Sequence, residues 1–334
     1  MQLNKNIKFF INYFLGPVLF IWLAFSIYRQ IVHQPKLEDS WLRIKTSFRS
    51  TNIFYLILAV VLIPVNWGIE AWKWQLSVRH IHPISFSQAF KAVLSGLSIS
   101  VTLPNRVGEY VGRMMFMPEG SRLRTISVTL VGSMAQFLVT LVMGTAALMA
   151  MKDVWLQNFP EVRIWFRFLV YALFGGTLLL FLIYFNVSGV TGLFRRWLKA
   201  EKQVYLVEAL QFFNMGLLLR ILFLSVLRYS VFLFQYLLIF YLFDVDVSAG
   251  VIVAVTSVVF LAMAVIPSIA LVEVGLRGEI SMRLMGLFST NLLGISFASI
   301  TVWFLNLVVP AIIGSILILN IRVFRKRRGT TGTT

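Results

Sequence analysis

Long apolar runs are the feature that most constrains what this chain can fold into. A helix needs about 20 consecutive apolar residues to cross the hydrocarbon core of a bilayer, and several runs here approach or exceed that length. Only 13% of the 334 residues are charged, about half the share in a typical soluble protein. The sequence therefore predicts an all-α polytopic integral membrane protein. Its apolar segments cover about residues 9–28, 52–72, 86–103, 125–151, 164–186, 212–243, 249–266 and 287–321.

The charged residues of the chain lie mostly between these segments. A formal net charge of +17 placed there is typical of loops beside anionic lipid headgroups, so we expect no nucleic-acid partner. The chain has no cysteine, and its three histidines, His33, His80 and His82, lie in connecting segments without a carboxylate cluster. The sequence therefore predicts neither a metal site nor a cofactor.

A further helix is predicted between the first two apolar segments. In "KLEDSWLRIKTSF" the apolar residues Leu37, Trp41, Ile44 and Phe48 recur at helical spacing, a pattern typical of an amphipathic helix on a membrane surface. The chain contains no polar stretch long enough for a soluble domain. We therefore expect a single membrane domain over residues 1–334.

Two stretches share one pattern and indicate an internal duplication. Residues 82–104 contain a short polar turn, an apolar helix of about eighteen residues and a proline. Residues 244–267 repeat this order. Each proline is followed by a glutamate and an arginine four residues apart, Glu109 with Arg113 and Glu273 with Arg277. The predicted repeats cover about residues 52–186 and 212–321.

The distribution of Lys and Arg favours one topology over another. If all eight segments cross the membrane, the loop cations do not show the usual cytoplasmic excess. If 86–118 and 249–285 are re-entrant hairpins, about six segments cross fully, the excess becomes cytoplasmic and both termini lie in the cytoplasm. The hairpins then enter from opposite sides as an inverted repeat, a plan that places a binding site near mid-membrane. Residues 322–334 become a basic cytoplasmic tail.

The stretch "PNRVGEYVGR" carries the polar residues of the first hairpin. Arg106, Glu109 and Arg113 fall on one helical stripe, and charges inside a membrane are costly unless they pair or meet a charged partner. Gly108 and Gly112 leave room for close approach by a helix or a ligand. One interpretation is that each Glu–Arg pair closes on itself at a helix interface. The alternative is that the excess arginine binds the phosphate of an anionic headgroup.

Polar residues in other segments extend this candidate site. Arg228 lies too deep in its segment to reach an interface, whereas Arg220 can extend to the cytoplasmic interface. Asn66, Glu70 and Lys73 share one stripe of their helix, and we take Glu70 as a cavity candidate. The tryptophans beside it, Trp67, Trp72 and Trp74, are interpreted as an interfacial aromatic belt.

These observations define two sets of predicted residues. The predicted substrate-binding residues are Arg106, Glu109, Arg113, Glu273, Arg277, Arg228, Asn105, Ser268 and Glu70. The predicted hinge positions are Pro104, Gly108, Gly112, Pro267 and Gly275, and backbone freed at the prolines is tolerable only inside protein or a watery cavity.

The motifs resemble those of a known family. "WKWQL" at 72–76, an apolar helix and then "LPNRVGEYVGR" are similar to the Pro-x-Arg-x-Gly-Glu-x-x-x-Arg pattern of the lysylphosphatidylglycerol synthase transmembrane region family. "PSIALVEVGLRG" at 267–278 resembles its second motif, with Ile269, Ala270 and Leu271 in place of the more usual glycines. The resemblance covers about residues 10–321.

The resemblance implies a flippase-like unit that moves an aminoacylated or otherwise modified phospholipid between leaflets. In full-length relatives a soluble domain follows and performs aminoacyl transfer, and we expect this chain to lack it. The headgroup contacts carried over by motif are Arg106, Glu109, Arg113, Glu273 and Arg277.

Three function classes stay open from the sequence. The leading hypothesis is a flippase-like transporter of an anionic or aminoacylated phospholipid, or a lipid-linked headgroup, in the bacterial cytoplasmic membrane, without covalent chemistry. An intramembrane lipid-modifying transferase would use Glu109 or Glu273 as a base, but no nucleophile accompanies either. An ion-coupled carrier of a small anion would need a cavity closed to lipid. Expected partners are the lipid substrate, the membrane, and either a second copy of the chain or a separate lipid-modifying enzyme.

Overall fold

Helices account for the regular structure of this chain. The computed structural model describes residues 21–22, 25–29, 32, 37–47, 51–101, 107–189, 208–266 and 270–328, and these contain no strand. The principal helices are α1 (Leu37–Ser47), α2 (Ile53–Val78), α3 (Phe86–Ser100), α4 (Val107–Met114), α5 (Arg122–Ala150), α6 (Lys152–Asn158), α7 (Arg163–Phe185), α8 (Met215–Leu242), α9 (Ala249–Val265), α10 (Ala270–Met285), α11 (Leu292–Trp303) and α12 (Val309–Arg328).

Five helical stretches among the described residues are long and apolar enough to cross a membrane. They are Ile53–Val78, Glu119–Ala150, Arg163–Phe185, Met215–Leu242 and Leu292–Ile318. These coincide with five of the six predicted full crossings, and most of the remaining one, 9–28, lies outside the described residues. The two segments predicted to enter re-entrant hairpins form shorter helices, α3 with 15 residues and α9 with 17. The prediction of an all-α polytopic membrane protein is confirmed.

The contacts of the chain divide it into two compact units, which are described one by one. Unit 1 comprises residues 1–63, 140–177 and 229–304, and unit 2 comprises 64–139, 178–228 and 305–334. The predicted repeats divide the chain differently, and their boundaries stay a prediction. The first predicted hairpin lies wholly in unit 2, whereas the second lies wholly in unit 1.

In unit 2, glycines let α3 pack backbone to backbone against its neighbours. A Cβ on Gly96 would lie 2.8 Å from the carbonyl oxygen of Glu109, and one on Gly112 would overlap the backbone of Gly96. On α12, a Cβ on Gly314 would overlap the backbone of Leu94. Nothing larger than hydrogen fits at these three positions unless a helix moves. The packing therefore fixes the position of α4, which carries the ionic residues of the first motif.

A capping box sets the start of α3. The Ser85 Oγ accepts a hydrogen bond from the Gln88 backbone N–H (3.2 Å), and the Gln88 Oε1 accepts one from the Ser85 N–H (3.1 Å). These bonds satisfy two backbone donors that the first helical turn leaves unpaired. The helix accordingly begins at Phe86, where the apolar segment was predicted to begin.

In unit 1, one asparagine joins the end of α8 to the start of α11. The Asn291 Nδ2 donates to the carbonyl oxygens of Phe243 (3.1 Å) and Asp244 (3.2 Å), and its Oδ1 accepts from the Gly294 N–H (2.9 Å). Asp244 terminates the first of these helices with a left-handed φ of 52°, a conformation that Asp tolerates better than most residues. Within this unit α10 packs against both α9 and α11.

The predicted amphipathic helix forms as α1. Ile44 is buried, and the Trp41 ring lies 6.4 Å from the Phe297 ring of α11, centroid to centroid. Lys45 is exposed, and its Nζ lies 5.3 Å from the centre of the Trp41 ring on the same stripe of the helix.

The last apolar segment is interrupted just before Pro310. Its helix α11 ends at Trp303, a π-helical turn covers Phe304–Val308, and α12 continues through Arg328. Pro310 has no N–H to donate to the carbonyl of Asn306, which removes one bond of the regular α-helical ladder at this turn. The basic residues from Arg322 to Arg328, part of the predicted cytoplasmic tail, continue this helix, and residues 329–334 lie outside the described part.

Candidate functional site

Five charged side chains of unit 2 are joined by four ion pairs, and we call them the Glu70 cluster. They come from three helices: Glu70 and Lys73 from α2, Glu109 and Arg113 from α4, and Arg228 from α8. Four of the residues are buried, with exposed fractions of 5% for Glu70, 2% for Lys73, 3% for Arg113 and 7% for Arg228. Charged groups at such depth are retained in membrane proteins where they pair or act on a substrate.

Glu70 is the hub of the cluster because one carboxylate faces three cations. Its Oε2 lies 2.7 Å from the Lys73 Nζ and 3.3 Å from an Arg228 guanidinium nitrogen. Its Oε1 accepts a hydrogen bond of 2.9 Å from Arg113. The motif spacing allows Arg113 to pair with Glu109, one of the two interpretations of the sequence, and that contact forms but is longer, at 3.4 Å. The motif arginine is therefore held mainly by a residue of another helix.

The formal charges of the Glu70 cluster do not cancel. Two carboxylates, Glu70 and Glu109, face three cations, Lys73, Arg113 and Arg228. The described members thus sum to one positive charge in a largely buried site. Such a site attracts an anion, and guanidinium groups bind phosphate and carboxylate through parallel hydrogen bonds.

One donor of Arg113 adds to this capacity. Its Nε is buried and makes no hydrogen bond to the described residues. A buried donor without an acceptor costs about 1–3 kcal/mol, and an anionic ligand at this position would supply the acceptor. The arrangement can therefore bind an anion without first breaking all the bonds of the Glu70 carboxylate.

A chain of amides extends the cluster from Arg228. The Arg228 Nε donates to the Asn66 Oδ1 (3.0 Å), and the Asn66 Nδ2 donates to the Asn306 Oδ1 (3.2 Å). Asn306 belongs to the π-helical turn before α12 and is buried. Single π-helical turns occur often at functional sites. Among the described contacts of the last apolar segment, the bond from Asn66 to Asn306 joins that segment to this network.

Two tryptophans line the cluster, which corrects the interpretation of an interfacial belt. Trp67 and Trp74 are buried, with exposed fractions of 5% and 1%, whereas Trp72 on another face of the helix is half exposed. The Arg228 guanidinium lies 4.9 Å from the centre of the Trp67 ring, and that of Arg113 lies 5.9 Å from the Trp74 ring. Aromatic faces attract cations at these distances, so the rings stabilise the arginines instead of anchoring the helix at the interface.

The ionic pair of the second motif closes within α10 in unit 1. Arg277 lies 2.5 Å from the Glu273 carboxylate, and its other terminal nitrogen donates to the Tyr236 hydroxyl (3.0 Å). Its guanidinium also lies 5.7 Å from the centre of the Phe260 ring. The two copies therefore differ in the carboxylate that each arginine contacts most closely: Glu273 on its own helix for Arg277, and Glu70 on another helix for Arg113.

The structure brings some predicted site residues together. Glu70, Glu109, Arg113 and Arg228 meet in unit 2, and Glu273 and Arg277 meet in unit 1. Gly108 and Gly112 lie at the contact between α3 and α4, and Gly275 is buried in α10. The remaining predicted residues, Pro104, Asn105, Arg106, Pro267 and Ser268, lie outside the described residues. That the charges of both hairpins converge on one substrate stays a prediction.

Sequence reasoning missed several partners. Lys73 and Asn66 share a helical stripe with Glu70, and this stripe of polar residues in an apolar helix was the signal. Asn306 and Tyr236 are single polar residues in long apolar segments, with nothing local to set them apart. No group of His, Asp or Glu among the described residues has the geometry to hold a metal ion.

The fold and this site define a class of protein: a multi-pass helical membrane protein with a buried, positively charged cluster. The chain belongs to the lysylphosphatidylglycerol synthase TM region family, whose sequence profile matches residues 14–278. The matched range contains every charged member of the Glu70 cluster and both residues of the Glu273–Arg277 pair. A comparison with curated proteins finds no match. Family membership points to a lipid-related function in a membrane.

Proposed function

We propose that this protein is a flippase-like transporter that moves an anionic or aminoacylated phospholipid, or a lipid-linked headgroup, between membrane leaflets. Three observations support this. The family is lipid-related, the helices are long enough to cross a bilayer, and the Glu70 cluster offers a charged group a place inside the fold. The main evidence for the proposal is that the charges of this cluster sum to one positive charge.

In this proposal the arginines bind the phosphate of the headgroup. Arg113 has a buried donor without a described acceptor, and Arg228 shares the Glu70 carboxylate with it. A phosphate that approaches both can take over bonds that Glu70 now accepts, while Lys73 stays beside Glu70 at 2.7 Å. Exchange of one anion for another keeps the buried arginines paired throughout, which avoids the high cost of an isolated buried charge.

We assign to Glu109 the role of binding an amine on the headgroup. Its side chain is more exposed than that of Glu70, 17% against 7%, and its contact with Arg113 is the longer of the two. The acyl chains stay in the lipid while the headgroup crosses. No bond is made or broken, so we assign the protein no enzymatic step, and its location is the bacterial cytoplasmic membrane.

The test is transfer of a labelled lipid in vesicles that contain the purified full chain. Headgroup-intact phosphatidylglycerol with a fluorescent acyl chain is placed in both leaflets, and dithionite bleaches the outer label. We expect wild-type protein to expose the inner label faster than protein-free vesicles do. Arg113→Gln should slow this transfer about tenfold or more, since it removes charge-assisted hydrogen bonds to phosphate.

A matched variant controls for the loss of an arginine. Arg122→Gln removes the guanidinium of a partly exposed ion pair outside the cluster, Arg122 with Glu119 at 3.6 Å, and should transfer lipid as fast as wild type. Equal rates in Arg113→Gln and wild type would overturn the proposal. Uptake of radiolabelled phosphate by the same vesicles without lipid transfer would instead favour a carrier of a small anion.

A further inference from the structure

A second basic site lies in unit 2 where α2 ends and α8 begins. A cavity of about 270 Å³ is lined there by Arg79, His80, Asn214, Gly216 and Arg220, among others. Arg79 and His80 directly follow the last residue of α2, and Arg220 lies in the second turn of α8. None of the lining residues is acidic. The cavity therefore gathers two arginines and a histidine on one concave surface.

The two arginines of this cavity differ from the paired basic residues of the same unit. Neither Arg79 nor Arg220 forms an ion pair with a described carboxylate, and both are exposed. This distinguishes them from Arg124, a basic residue of the same unit that is paired with Glu208 at 2.7 Å. The His80 ring stacks on Phe212 at 5.8 Å, centroid to centroid, which holds the imidazole at the wall of the cavity.

The start of α8 strengthens the preference for an anion. The Asn214 Oδ1 accepts the backbone N–H of Leu217 at 2.9 Å and caps this 28-residue helix. The first turn of a helix carries a partial positive charge from its free N–H groups. Gly216 in that turn faces open space apart from the Asn214 Oδ1 at 3.6 Å, so a ligand can approach the backbone. The helix terminus and the arginines thus act in the same direction.

We propose that this cavity binds a phosphate group, as an entry site for the transported headgroup. The geometry relates it to the Glu70 cluster through the same two helices. Arg79 lies nine residues beyond Glu70, and Arg220 eight residues before Arg228, each about 12–14 Å along a helix. Between them Lys73 contacts Ser225 at 3.4 Å. The proposal that this cavity binds phosphate depends on the cavity alone. The proposal that the headgroup then passes to the Glu70 cluster rests on the proposed function.

The experiment measures binding to the purified full chain in detergent by titration calorimetry. The probes are inorganic phosphate, dihexanoylphosphatidylglycerol, and dihexanoylglycerol, which lacks the phosphate. We expect the short-chain phospholipid to bind and the diacylglycerol not to bind. Arg79→Gln and Arg220→Gln should each weaken binding about tenfold, the effect of losing one charge-assisted hydrogen bond.

Two further variants separate charge from shape. Gly216→Leu keeps every charge and suits a helix, but its side chain would occupy the cavity, so it should weaken binding as much as the arginine variants. Arg163→Gln removes an exposed arginine at the start of α7, outside the cavity lining, and should bind like wild type.

These measurements test whether the cavity binds phosphate, and whether that phosphate belongs to a lipid or to a soluble anion. Binding of inorganic phosphate alone, lost in Arg220→Gln, supports the site but assigns it to a soluble anion. Equal affinity in wild type, Arg79→Gln, Arg220→Gln and Gly216→Leu overturns the proposal, as does equal binding of the diacylglycerol. Lipid transfer that is normal in variants without cavity binding rejects the entry site and leaves the transport proposal intact.

Discussion

At the scale of the residue, Glu70 determines how this site is held together. One buried carboxylate contacts Lys73, Arg113 and Arg228, and those residues lie on three different helices. Removal of a shared partner from a buried ionic group is strongly destabilising because it leaves uncompensated charge behind. Glu109 has a longer contact and a more exposed side chain, so its loss is easier for water to compensate.

We therefore predict that Glu70→Gln destabilises the full chain by about 3–5 kcal/mol, and that Glu109→Gln costs about 1 kcal/mol or less. Chemical unfolding in mild detergent, followed by tryptophan fluorescence, measures both values. The double variant Glu70→Gln/Lys73→Met should recover part of the loss, because it removes one of the stranded cations. Equal destabilisation by the two glutamate variants would argue against Glu70 as the hub.

At the scale of the element, the contact between α3 and α4 explains the glycines of the first motif. Their positions leave no space for a side chain, since the atoms that a Cβ would meet belong to the backbone of the other helix. A flexible side chain could move aside, but a helical backbone cannot do so cheaply. The glycines therefore place Arg113 as much as any charged residue does.

Gly112→Ala should separate α3 from α4 and destabilise the protein by about 1–3 kcal/mol, with lower lipid transfer because Arg113 is displaced. Gly176→Ala is the matched control, since a Cβ on Gly176 in α7 meets nothing within 4 Å. Alanine favours a helix over glycine, so this control should be neutral or slightly stabilising. Thermal unfolding in the same detergent measures the stability of both variants. If Gly112→Ala is as stable as wild type, the helices do not need this contact.

At the scale of the whole molecule, the sequence predicts a membrane topology that can be tested directly. The re-entrant interpretation requires that each predicted hairpin begin and end on one side of the membrane. The chain has no cysteine, so a single introduced cysteine reports its own location without interference. His82 and Glu119 flank the first hairpin, Asp246 and Thr290 flank the second, and all four are exposed.

We expect His82→Cys and Glu119→Cys to react with a membrane-impermeant maleimide only after cells are opened. Asp246→Cys and Thr290→Cys should react in intact cells, as should Lys152→Cys between α5 and α7. Opposite accessibility of His82→Cys and Glu119→Cys would mean that the first hairpin crosses fully. The inverted repeat would then be wrong, although the Glu70 cluster would remain.

The sequence by itself determined the class of this protein and the extent of its main helices. Apolar runs and charge distribution are local properties that the bilayer selects directly, and for this reason five predicted crossings coincide with helices. It also located Glu109, Arg113, Arg228 and Glu70, because charged residues are conspicuous in apolar segments.

Only the tertiary structure decided which of these residues are partners. The motif spacing offered Glu109 as a partner for Arg113, but Arg113 binds Glu70 more closely, 43 positions earlier. Arg228 and Asn66 meet across 162 positions. Trp67 and Trp74 likewise became part of the site because their helix turns that face toward the arginines. Pairing depends on which helix faces are brought together. Backbone contacts between helices, such as that of Gly112 with Gly96, determine those faces, and no local sequence pattern shows which helices will meet.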